Sequence, residues 1–232
     1  MSLSSLLRFR PWGFPARFDG PELMDAEQIS DEELELAYRQ LDAVHGWLGN
    51  RRAVLRLVRD YPSGKPRRVL DVGCGHGALL REIRDRLGAE VVGFDLRPAP
   101  PGLGLPIVCG NAAVDPLPKA DVAVCVVMAH HLTAEELVAT IRNVARSCDR
   151  LILLDLVRHL APYWLFRVFV APLLCRLNAM DGLTSIRRSF TAVEMRRIVD
   201  EALALGSGRR VASLRHTVAP FWIRQVVDIR WE

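Results

Sequence analysis

The stretch Val69-Leu70-Asp71-Val72-Gly73-Cys74-Gly75-His76-Gly77 decides how this chain is read. A short apolar run carries a carboxylate near its end, then gives way to three glycines at alternate positions. Ala78-Leu79-Leu80-Arg81-Glu82-Ile83 follows with helical spacing. A strand, a glycine turn and a helix in this order expose bare backbone at the carboxyl edge of a sheet. The first helix N–H groups point to the same place. A tight turn does not need three alternating glycines, and glycine is costly in ordered backbone. The loop therefore reads as a ligand cradle.

Outward from the loop the pattern repeats. Strands are expected near residues 67–72, 90–95, 105–109, 121–127 and 150–156, with helical spacing between them. That alternation predicts a parallel sheet covered on both faces. The second strand closes on Asp95, the third leads into Gly110-Asn111-Ala112, and the fourth ends in Met128-Ala129-His130-His131-Leu132. Upstream, Ser30 to Glu33 has capping-box spacing ahead of Leu34, Tyr38, Leu41 and His45 at helical intervals. A second helix spans about Arg51 to Arg59. Downstream, Arg209 to His216 and Phe221 to Ile229 are β-rich runs around a turn at Ala219-Pro220.

The glycine loop resembles the first motif of class I S-adenosylmethionine (SAM)-dependent methyltransferases. Gly73, Gly75 and Ala78 also satisfy the permissive dinucleotide form G-x-G-x-x-A, so an NAD-dependent oxidoreductase is the alternative. Asp71, two residues before the first glycine, and the strict G-x-G-x-G through Gly77 favour SAM, which has no pyrophosphate. The resemblance covers roughly residues 65–230, with specific motifs between Val69 and Leu132. It implies an α/β Rossmann-like fold: a mostly parallel seven-stranded sheet, helices on both faces and a C-terminal antiparallel hairpin. It also implies a SAM site formed by Asp71, Gly73, Cys74, Gly75, Gly77, Asp95, Leu96, Asn111, Ala112 and Met128. In it Asp71 lies near the methionine ammonium, and Asp95 accepts from both ribose hydroxyls. Asn111 stands where the family usually carries an acid facing the adenine amino group. An amide oxygen can still accept there, without the help of charge.

His130 and His131 follow the fourth strand, at the edge that faces the ligand crevice in a doubly wound sheet. One imidazole could take a proton from a substrate hydroxyl; the other reading has the second ring packing behind the strand. The family motif for methylating planar amino groups is absent after this strand, which argues against nucleobase or glutamine substrates. Residues 158–189, with Tyr163, Trp164, Phe166 and Phe169 among arginines, stand where the family places a variable substrate lid. An apolar lid suits a small hydrophobic or aromatic acceptor, methylated on oxygen or carbon. Three other roles stay open for this segment: core packing, a homodimer partner, or shallow contact with a membrane surface. A catalytically inactive SAM-fold partner protein is a further alternative, against which the intact glycines and Asp95 speak.

The composition is that of a cytoplasmic enzyme. Half the residues are hydrophobic and a quarter charged, and the net charge is +4. Lys65 and Lys119 are the only lysines, and the arginines are interleaved with acids, so no nucleic-acid surface is expected. Cys74, Cys109, Cys125, Cys148 and Cys175 lack C-x-x-C pairing and read as buried thiols; no metal site is expected. No run is long enough to span a membrane or serve as a signal peptide. Residues 1–64 are expected to form a cap with helices, its first 22 residues lying over the site, and residues 65–232 the catalytic core; a frayed tail is the other reading of those first 22 residues.

Overall fold

A computed structural model describes residues 16–25, 29–61, 64, 66–99 and 102–232. Trp12 and Phe14, expected to cap the site, fall outside this set, as does Lys65. The strands are β1 (Arg68–Val72), β2 (Glu90–Asp95), β3 (Ile107–Cys109), β4 (Ala120–Val126), β5 (Cys148–Asp155), β6 (Val211–Val218) and β7 (Gln225–Trp231). They form one seven-stranded sheet in the order β3-β2-β1-β4-β5-β7-β6. β1 to β5 pair in parallel, while β7 runs antiparallel to both β5 and β6. The strand order reverses between β1 and β4, and the crevice outside that switch point is where such sheets bind ligands.

The helices are α1 (Asp31–Trp47), α2 (Asn50–Arg59), α3 (Ala78–Leu87), α4 (Ala134–Ser147), α5 (Leu160–Leu165), α6 (Arg176–Arg188) and α7 (Ala192–Ala204). Ser30, Thr133 and Thr191 each close a capping box with the glutamate three residues on. The period of two in β1 feeds both cores. Val69 packs with Val54, Val58, Leu80 and Ile83 under α2 and α3. Leu70 packs with Leu137, Ile141, Met195 and Ile198 under α4 and α7.

Two expectations are corrected. β3 begins at Ile107, not near 105, because Pro106 has no N–H for the ladder; its carbonyl accepts from Gly93 N at 2.8 Å. Cys109 is exposed and Cys175 only half-buried, since β3 is the sheet's edge strand and Cys175 lies just outside α6. The apolar segment after β5 is no continuous helix. α5 passes into a π turn at Phe166–Val170 and a 3-10 turn at Ala171–Leu173, where Pro172 cannot donate. Phe166 nevertheless anchors it to α6, because Gly182 leaves room for the ring; a Cβ there would sit 2.2 Å from Phe166 Cζ.

Candidate active site

β1 delivers Asp71 to the floor of an open cleft, and the glycine loop forms its wall. Gly73, Cys74, Gly75, Ala78 and Val126 also line it. Gly73 takes φ 77°, and a side chain there would strike Met128 Cγ at 2.4 Å. Gly75 takes φ 49°, and its missing Cβ would stand in open space. The first glycine is thus kept bare by the protein's own packing. The second has no neighbour among the described residues to explain it. Gly77 turns away from the cleft: it caps α3, and a Cβ would meet Leu105.

Asp71 is 3% exposed. Burial, reinforced by the charge of Asp95, pushes its carboxyl up to about 7. Asp95 ends β2 beside the loop; its Oδ2 accepts from Gly75 N at 2.8 Å and its Oδ1 from Arg97 N at 3.0 Å. One carboxylate thereby fixes the cradle and keeps a second lone pair on each oxygen. Farther along the same edge, Leu96 is exposed and Ala112 is half-buried. Asn111 Oδ1 accepts from Ala113 N at 2.9 Å, closing a local turn.

The roof of the cleft comes from elements whose role no motif announces. Tyr38, Leu41, Asp42 and His45 of α1, with Asn50 and Arg51 of α2, lean over the glycine loop. The Tyr38 ring meets His76 edge-on at 3.9 Å. Burial, aided by Arg51, drives the His45 imidazole down to about 4, so it is neutral. The helical spacing of Tyr38, Leu41 and His45 shows that they share a face, but not that the face covers a ligand site.

A 3-10 turn over Ala129–His131 follows β4. His130 is fully buried: its backbone N–H donates to Asp155 Oδ2 at 2.8 Å, and its Nδ1 lies 2.8 Å from Oδ1 of the same carboxylate. Its Nε2 lies 3.6 Å from Glu22 Oε1, and His131 Nε2 lies 3.8 Å from Glu22 Oε2. Burial works against charge on His130, yet Asp155 and Glu22 outweigh it and raise the imidazole to about 9. Burial would likewise raise Glu22, but His130, His131 and a 2.7 Å hydrogen bond from Ser185 hold it below its ordinary value. Arg17 Nη2 donates to the carbonyls of His130 and Leu132, both at 2.7 Å, laying the described end of the N-terminal segment across this turn. Asp155 ends β5 as Asp95 ends β2, with Asp71 one residue before the end of β1, a signal the sequence carried. Glu22 had none.

The comparisons with known proteins agree with this geometry. A family model described as a methyltransferase domain matches residues 46–202. A ubiquinone biosynthesis O-methyltransferase of Nitrosococcus oceani is 50% identical over 46 residues, which span 20% of this chain and 19% of that protein. Among solved structures, the plantazolicin methyltransferase BamL, in complex with a triazolic desmethylPZN analog and SAH, superposes with a TM-score of 0.67. It is 14% identical, and the match covers 86% of this chain and 91% of BamL. Human N-acetylserotonin methyltransferase in complex with SAM gives a TM-score of 0.56 at 16% identity, covering 85% of this chain and 56% of the human protein. The strand order, the cradle at the switch point and the family match over more than half its length lead to one conclusion: the chain belongs to the methyltransferase-domain family.

Proposed function

We propose that this protein methylates a small, hydrophobic or aromatic acceptor, on a hydroxyl oxygen or an acidic carbon. The observation that carries this reading is the open space over Gly75, in the cleft that buried Asp71 also lines. SAM fits the cleft. A buried carboxylate facing a second carboxylate calls for a cation, and a ligand can approach the bare backbone at Gly75. When bound, SAM supplies an electrophilic methyl group on its sulfonium. Asp71 pairs with the ammonium, Asp95 accepts from the ribose hydroxyls, and Leu96, Asn111, Ala112 and Met128 flank the adenine. The roof residues Tyr38 and His45 exclude water. Catalysis rests on this positioning and on desolvating the nucleophile. His130, already charged between two carboxylates, takes no further proton at neutral pH. His131 is the imidazole left to deal with the acceptor's proton, as the base itself or as a ligand of the group that ionises the hydroxyl.

Asp71 gives this reading a pH signature. Its pKa lies above that of an unfolded carboxyl, so folded-state stability from this group falls as pH rises from about 4 to 7. Binding a cation has the opposite sign: it draws the pKa down and releases the proton. SAM affinity is therefore expected to rise about five- to tenfold between pH 6 and 7.5. Calorimetric titration checks this, and Asp71→Asn should bind weakly and without that slope. A parent protein with no slope would remove Asp71 from the ammonium site.

The segment after β5 supports a lipophilic acceptor taken up from a membrane surface. Trp164 is 54% exposed, Phe169 63% and Leu173 76%. Beside α5, the turn at Pro220–Trp222 presents Phe221 and Trp222 to solvent, both at positive φ of 58° and 54°. Such strain costs about 1–3 kcal/mol per residue and persists only where the surroundings enforce it; Trp222 stacks on His159 at 4.3 Å. Arg167 lies over the Trp164 ring at 5.7 Å and Arg176 is exposed, which matches anionic headgroups. No helix among the described residues is long and apolar enough to cross a membrane. Replacing Trp164, Phe169, Phe221 and Trp222 together by Ala should abolish co-sedimentation with phosphatidylglycerol-containing vesicles. A parent protein that stays in the supernatant, or that dimerises through this face, would defeat lipid contact. Trp164→Ala alone should lower stability by less than about 1 kcal/mol, far below the 3–5 kcal/mol of a buried aromatic, while raising the acceptor KM. Thermal melting and steady-state kinetics separate the two.

A further inference from the structure

We infer that Glu22, His130 and His131 form a binding site for one divalent transition-metal ion on the acceptor side of the active site. The inference rests on the methyl-transfer reading only for what the ion would do, not for its presence. The three ligating groups converge, their nearest atoms all lying within 4.8 Å of one another. The separations are informative. His130 Nε2 to Glu22 Oε1 is 3.6 Å and His131 Nε2 to Glu22 Oε2 is 3.8 Å, too long for hydrogen bonds. Two atoms bound to one metal at about 2.0–2.2 Å stand roughly 3.0–3.6 Å apart, so small movements would close the site. The two imidazole rings, 4.3 Å between centroids and tilted by 39°, are neighbours as cis ligands are.

The groups behind these ligands have the form of a metal site's supporting shell. Asp155 fixes His130 through Nδ1 at 2.8 Å, which leaves Nε2 turned toward Glu22; a carboxylate behind a histidine ligand is a recurrent device for orienting it. Ser185 Oγ donates to Glu22 Oε1 at 2.7 Å and orients the second ligand. Glu22 is only 8% exposed and His130 1%, so two of the three ligands are held in a largely dry site. His131 is partly exposed and faces the open side. Two imidazoles and one carboxylate on one face favour zinc, iron, cobalt or manganese over magnesium or calcium, and they leave positions free for an acceptor oxygen. Bound there, an acceptor hydroxyl would be more acidic and would release its proton to water. The ion would thus give the reaction an ionised nucleophile without a side-chain base.

The test uses the full chain, stripped with EDTA, dialysed and titrated with CoCl₂ by calorimetry and visible absorption. One Co²⁺ per chain is expected, with ligand-field bands of a nitrogen–oxygen site. His131→Ala, at an exposed position, and Glu22→Gln, which keeps the Ser185 hydrogen bond, should each weaken Co²⁺ binding at least tenfold. Asp155→Asn should weaken it about 10–100-fold. Parent protein that binds no Co²⁺, or that binds it as tightly in His131→Ala and Glu22→Gln, overturns the site. SAH titration of the same stripped protein keeps the two readings apart. SAH binding without Co²⁺ binding removes the ion and leaves the methyltransferase. Co²⁺ binding without SAH binding keeps the ion and removes the assigned cofactor cleft.

Discussion

Gly75→Val is expected to eliminate SAM and SAH binding while the protein stays folded. The argument separates two effects that glycine substitutions usually mix. At Gly75 a Cβ meets no atom of the described residues within 4 Å, so valine has no clash with them to relieve. Its cost to folding is the left-handed backbone at φ 49°, about 1–2 kcal/mol for an L-residue. In a chain of this size that lowers Tm by roughly 2–8 °C. The isopropyl group itself projects into the cleft, where the loop backbone must meet the ligand. Calorimetry with SAH and a thermal melt measure the two effects independently. Retained affinity, within twofold of the parent, would mean that the space over Gly75 is not ligand space. Gly73→Ala should behave differently, because its Cβ would collide with Met128 and the damage would appear in the melt.

This contrast also marks how far the sequence could be read. Local chemistry was legible: an acid at or next to the end of β1 and β2, glycines where backbone must come close, and serine or threonine three residues before a glutamate. Each signal is contained within a few residues, so the loop, Asp71, Asp95 and the three capped helices could be located. What brings distant segments together left no such trace. The cleft roof depends on α1 folding back over the loop, which the face of Tyr38, Leu41 and His45 permits but does not dictate. Glu22 lies more than a hundred residues from His130, and only the N-terminal segment's course along α6 brings it there, with Leu23 N and Met24 N bonded to Asp181 at 2.6 and 2.8 Å. Burial was misread where it depends on strand order: Cys109 looks like a core thiol until β3 proves to be the edge.

The largest expected loss of stability lies away from the cleft, at Asp228→Ala. Arg150, on β5, is 1% exposed, and its Nε and Nη2 donate to the two oxygens of Asp228 on β7 at 2.8 and 2.7 Å. Its Nη1 donates to the carbonyls of Leu57 and Asp60 at 2.8 and 3.2 Å, so the same guanidinium closes the C-terminal end of α2. Removing the carboxylate leaves a buried cation uncompensated, which costs about 3–5 kcal/mol. The melting temperature should then fall by roughly 6–20 °C. Replacing both residues, as Arg150→Met with Asp228→Leu, should recover much of this, because no stranded charge remains. A single-variant loss below about 1 kcal/mol in urea titration would show that water reaches the pair. The consequence extends to ligand binding. α2 supplies Asn50 and Arg51 to the cleft roof, and Arg224 reaches across to Leu48 O and Asn50 Oδ1 at 2.8 and 3.0 Å. Loosening the far end of α2 should therefore weaken SAH binding severalfold with no substitution in contact with it. In the paired apolar variant, which holds the helix without the charge, affinity should return together with stability.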